Sequence, residues 1–165
     1  MIDPFKATFQ LQQADRKILE NVVGHIQSRG LAIFYEQDLN ERKFVDLMKR
    51  MGECETPNQF MNPKEYPEIS LVTAQRDEKG QKLGMFGEGE LGWHSNGNSR
   101  HLIDKILIGL YCVKGDPNST LSVCQTSLPF YDLSVDEQEY WKSIRIRLKF
   151  QNNTMYNLSD DDPEL

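Results

Sequence analysis

Cysteine, histidine and long apolar runs are all scarce in this chain of 165 residues. The three cysteines (Cys54, Cys112, Cys124) form no Cys-x-x-Cys pair and leave one thiol over. That excludes a disulfide framework and fits a reduced, cytoplasmic compartment. The longest apolar run, "ILIGLYCV" (106–113), is far too short to span a bilayer, so no membrane partner is expected. The opening "MIDPFKATFQ" has no basic stretch leading into an apolar one, so no signal peptide is expected. Positive charge is also short: 19 Lys and Arg stand against 25 Asp and Glu, a net charge of −6. The ending "SDDDPEL" holds four of the acids (Asp160, Asp161, Asp162, Glu164), and the remainder is near balance. Without a strong basic field to meet a phosphate backbone, nucleic acid is disfavoured as the main partner. No glycine-rich phosphate loop, Gly-x-Ser-x-Gly elbow or His-Glu-x-x-His helix occurs.

What is present suits one domain over 1–165, with 38% hydrophobic and 27% charged residues. "ADRKILENVVGHIQSRG" (14–30) reads as a helix with Ile18, Leu19, Val22, Val23 and Ile26 on one face. Gly30 suits a left-handed residue after its last turn. "LAIFY" (31–35) follows as a short strand, and a second helix starts from Asn40 as N-cap and stops at Gly52. Phe44, Leu47, Met48 and Met51 form its apolar stripe. Strands are expected at 69–75, 103–113 and 120–126, with a hairpin or long loop over 76–97 and a turn at "KGDPNS" (114–119). A helix opens at Ser134, where Glu137 completes a capping box. Residues 144–151 alternate, with Ile144, Ile146, Leu148 and Phe150 on one face and Arg145, Arg147, Lys149 and Gln151 on the other. The class is α+β. The turns between strands, without regular helical crossovers, point to a largely antiparallel sheet.

The chemistry-bearing residues are few. "GELGWHSNGNSR" (89–100) sets His94 two residues before Asn96 in a glycine-rich loop. Imidazole is the commonest metal ligand, and residues i and i+2 of an extended segment point to one side. A His-x-carboxylate pair joined by a second His is the Fe(II) facial triad. Spacing alone leaves His94 open between a turn residue and a ligand. Trp93 is either a core anchor or a pocket wall. His25, near the end of the first helix, reads as structural, and His101 as loop surface. Cys112 and Cys124, both in expected strands, read as core residues.

Four stretches together resemble the taurine dioxygenase (TauD/TfdA) family of Fe(II)- and 2-oxoglutarate-dependent oxygenases. They are "GLAIFYEQDLNERKFVDLMKRMGECE" (30–55), "GWHSN" (92–96), "KILIGLYCVKGDPNSTLSVCQT" (105–126) and "SLPFYDLS" (127–134), in the family's order. The resemblance implies a double-stranded β-helix (jelly-roll) core with the helices packed outside. It implies Fe(II), with 2-oxoglutarate as cosubstrate decarboxylated to succinate while O₂ oxidises a C–H bond of a small organic molecule. His94 matches the first metal ligand, Asn96 the metal carboxylate position, and Thr120 the threonine that hydrogen-bonds 2-oxoglutarate. Gln59, Phe60 and Asn98 fall where the family contacts substrate.

Two departures accompany the match. Asn96 offers an amide where the family has a carboxylate. The family's second metal histidine and its 2-oxoglutarate-clamping arginine lie in later strands, yet no His follows His101 and the last Arg is Arg147. The expectation is therefore the N-terminal part of a longer or split protein, or a minimal relative whose open sheet edges are closed by a second copy or partner chain. An inactive remnant or accessory binding module of the same fold is the alternative.

Overall fold

The structure, a computed structural model, describes residues 5–56, 62–85, 91–94 and 107–145. Local signals set the first elements. The Asp15 carboxylate accepts from Ile18 N–H and starts helix α1, Arg16–Arg29. Gly30 ends it in the left-handed region (φ 87°), which a residue without Cβ enters without strain. Strand β2, Ala32–Phe34, follows, and then helix α2, Glu41–Met51. Asn40 caps α2 by accepting from Lys43 N–H at 2.9 Å. A single 3-10 turn, Leu11–Gln13, precedes α1.

The first strand, β1 (Phe5–Ala7), has no counterpart in the sequence reading. It pairs with β2 in parallel, Phe5 opposite Ala32 and Ala7 opposite Phe34. This ladder differs from the antiparallel pairing expected of the sheet. The reason is α1, which serves as the helical crossover that two parallel neighbours require.

Leu19 and Val22 of α1 are each 2% exposed and meet Leu47 of α2, Leu11 and Ala14 in one core. Phe34, Ala32, Ile26 and Leu39 pack around it. Burial departs from the expected stripes. Ile18 is surface-exposed at the edge of α1, and Val45 is buried although the stripe omitted it. Phe44 and Met48 are only half-buried because they face a different partner, described below.

Side-chain amides extend the short sheet. The Gln37 amide donates to the carbonyls of Phe9 (2.9 Å) and Tyr35 (2.7 Å), and its oxygen accepts from Leu11 N–H. Gln10 donates to Glu36 O and accepts from Asp38 N–H; Gln12 donates to Asp38 O. Three glutamines thus take over the main-chain groups that a three-residue ladder leaves unpaired. The chain reverses there through Glu36, a non-glycine residue at φ 56°.

Residues 71–85 fold back on themselves. Asp77 N–H donates to Gln81 O and Leu83 N–H to Gln75 O, across a turn that Asp77 Oδ1 organises by accepting from Lys79 and Gln81 N–H. Gly84 lies so close to the facing arm that a Cβ would sit 2.6 Å from Leu71 O. The turn at 77–81 falls inside the 76–97 stretch expected as a hairpin or long loop, and its arms meet through isolated bridges, Arg76–Lys82 antiparallel and Val72–Met85 parallel.

Residues 107–112 meet α2 through Gly109, beside Met48 and Phe44, and through the Tyr111 ring, beside Phe44. Leu107, Gly109 and Tyr111 are half-buried while Ile108, Leu110 and Cys112 are exposed, the alternation of a strand with one covered face. A Cβ on Gly109 would come within 2.7 Å of Met48 Sδ, so glycine lets the backbone settle on the helix. The Tyr111 ring lies 6.1 Å from that of Phe44. Its hydroxyl donates to Gln37 O (3.0 Å) and accepts from Leu39 N–H (3.3 Å). Among the described residues, the expected strands 103–113 and 120–126 carry no ladder.

The expected turn forms at 116–119, where Ser119 N–H reaches Asp116 O and Asn118 N–H reaches Asp116 Oδ1. Helix α3 spans Ser127–Tyr131 and helix α4 Val135–Ser143. The capping box of α4 is complete: Ser134 Oγ accepts from Glu137 N–H while the Glu137 carboxylate accepts from Ser134 N–H. No residue of α4 is buried. Most of the alternating stretch 144–151 lies outside the described residues, as do 86–90, 95–106 and the acidic end. No helix among the described residues is long and apolar enough to cross a membrane.

Candidate functional site

The segment 91–94 carries the part of the expected metal motif that the structure describes. His94 is exposed, and its Nδ1 lies 2.9 Å from Gly92 O. A carbonyl only accepts, so Nδ1 carries the proton, and in a neutral ring the lone pair then sits on Nε2. Metal-binding histidines commonly donate their other ring N–H to such a carbonyl. Trp93 is 73% exposed, which removes the reading as a core anchor.

Thr120 is exposed just past the Asp116 turn, on a segment without covering structure among the described residues. Asn96, Asn98, Gln59 and Phe60 lie outside the described residues, and so does His101. Of the six residues expected at the site, the structure therefore describes His94 and Thr120. Among the described residues no three His, Cys, Asp or Glu side chains gather as a metal-binding group. One imidazole does not make an Fe(II) site, so the described donors alone do not fit the metal.

The cysteine expectation changes. Cys112 and Cys124 are exposed and only Cys54 is partly covered. Cys112 shares the outward side of the extended segment with Ile108 and Leu110, away from α2. His25 is half-buried in the last turns of α1, consistent with a structural role.

A charged cluster at the end of α2 was not legible in the sequence, because its members are far apart in the chain. Lys49 Nζ lies 2.6 Å from Glu68 Oε1, and the Glu68 side chain is 17% exposed. The hydrogen bond holds the Lys49 ammonium above its ordinary value and the Glu68 carboxyl below its own. Nearby, burial pushes the Cys54 thiol up.

A shallow cleft of about 190 Å³ opens between α1 and α2, lined by Leu19, Val23, Gly24 and Met51 with Glu20 and Arg50. None of the expected site residues lines it. The Arg50 guanidinium is already committed to the carbonyls of Gln12 and Ala14.

No protein-family model matches the chain, and neither does any curated protein or solved structure.

Proposed function

We propose that this chain is a taurine-dioxygenase-like domain, with a jelly-roll core, acting in the cytoplasm as an Fe(II)- and 2-oxoglutarate-dependent oxygenase on a small organic substrate. His94 is the first metal ligand and Asn96 stands at the second position. Thr120 hydrogen-bonds 2-oxoglutarate, and Gln59, Phe60 and Asn98 contact substrate. The ordered set of four motifs supports this reading, and the Nδ1 contact of His94 with the Gly92 carbonyl is the observation that carries it. When bound, iron and 2-oxoglutarate supply the oxidising chemistry with O₂. The role of His94 is to present Nε2 in a fixed tautomer.

Because His94 is the one described member of the metal set, the remaining ligands must come from residues outside the described ones or from a partner chain. The experiment is a thermal-melting titration with Mn(II) as an O₂-insensitive stand-in for Fe(II), with and without 2-oxoglutarate. A ligand of the folded state raises the midpoint with concentration. The midpoint should rise in the native chain and stay flat in His94→Ala. A flat native titration refutes the reading.

The inactive binding module is the second reading, favoured by the amide of Asn96, a weaker and uncharged donor beside a carboxylate. Metal binding without 2-oxoglutarate-dependent succinate, even in Asn96→Asp, selects it.

A further inference from the structure

Gly109 and Met48 meet more closely than a larger residue at 109 would allow. A Cβ there would lie 2.7 Å from Met48 Sδ, 2.9 Å from its Cε and 3.2 Å from Phe44 Cζ. The thioether therefore fills the space in front of the glycine backbone, beside the Phe44 ring. Two residues on, the Tyr111 ring lies 6.1 Å from that of Phe44, and its hydroxyl holds Gln37 O and Leu39 N–H. Met48 is thus the sulfur on which 107–112 rests where it meets α2. Met48 is half-buried, whereas Met85 is only 8% exposed. A molecule as small as a hydroperoxide can reach a half-buried thioether.

We propose that Met48 is a redox-sensitive switch, whose oxidation by a hydroperoxide releases 107–112 from α2. The sulfur lone pair attacks one oxygen of hydrogen peroxide. An S–O bond forms and the O–O bond breaks. The second oxygen leaves as water, taking up the proton of the transferred one. Sulfur is oxidised by two electrons and the peroxide is reduced. The sulfoxide is polar and chiral where the thioether was flexible and apolar, and dedicated reductases reverse it.

The geometry turns this change into movement. A seat with no room for a methyl group at 109 has none for an oxygen on the facing sulfur. Where the side chain turns its oxygen out to water, the sulfur leaves the glycine. The contact is lost by either route, and the Tyr111 hydroxyl is then left to hold the segment alone. This inference is independent of the iron reading, since it uses none of the proposed ligands.

Hydrogen exchange on the full chain, before and after hydrogen peroxide, is the test. Peptide mapping should find Met48 oxidised in the folded protein. The Leu39 amide, which donates to the Tyr111 hydroxyl, should then exchange at least about 5-fold faster, the protection that one lost hydrogen bond withdraws. The core amide of Val22 should keep its rate. Met48→Leu, close in volume and without the sulfur, should hold the native Leu39 rate before and after peroxide. Gly109→Ala should raise that rate with no oxidant present, by placing a Cβ against the thioether. A Met48 that stays reduced, or an unchanged Leu39 rate once it is oxidised, overturns the proposal. So do equal acceleration in Met48→Leu, acceleration that extends to Val22, and a native Leu39 rate in Gly109→Ala.

Discussion

Replacing Tyr111 by Phe removes one oxygen and leaves the ring against Phe44 in place. The lost hydroxyl donates to Gln37 O at 3.0 Å and accepts from Leu39 N–H at 3.3 Å. Both groups lie in a half-buried junction between the extended segment and the loop that leads into α2. A net contribution of about 0.5–1.5 kcal/mol per hydrogen bond, with the longer one at the low end, gives a cost of about 1–2 kcal/mol. For a urea dependence of about 2 kcal/mol per molar, the unfolding midpoint falls by roughly 0.5–1 M. The local readout is the Leu39 amide, whose hydrogen exchange should accelerate in Tyr111→Phe. Tyr140→Phe is the control, since Tyr140 is 62% exposed and its loss should move stability by less than about 0.5 kcal/mol. An unchanged midpoint together with unchanged Leu39 exchange would show that the hydroxyl does not pin the segment, and the packing of 107–113 on α2 would need another explanation.

Leu19→Ala, at a residue 2% exposed in the core, should cost about 2–5 kcal/mol in chemical denaturation. A loss below 1 kcal/mol would place the core elsewhere. Gly30→Ala should cost about 1 kcal/mol through backbone strain at φ 87°, since its Cβ would meet only Gln125 at an ordinary 3.9 Å; a neutral result would mean that α1 ends differently. The Ser134 side chain, and next its backbone, hold the Glu137 carboxyl below its ordinary value. The stability from this contact is present above the unfolded carboxyl value and is lost as pH falls through the lowered folded one. In Ser134→Ala the Glu137 titration, followed by carbon NMR, should move up toward that of a free glutamate; no movement refutes the capping contact.

The sequence by itself determined the features that act within a turn or two. The Asn40 cap, the Ser134–Glu137 box, the Gly30 stop and the Asp116 turn are each decided by groups three or four residues apart. Such groups meet in any chain that starts the element, so their spacing is readable. Tertiary structure alone decided the parallel pairing of β1 with β2, the three-glutamine stitching, the Lys49–Glu68 pair and the seat of Tyr111 on the α2 entry. These contacts join distant residues whose types are ordinary. No periodicity marks them, because the partner of each group is chosen by how the helices pack. The same limit divides the site. The contact of the His94 ring with the Gly92 carbonyl is local, two residues apart, whereas the Lys49–Glu68 pair joins residues far apart in the chain.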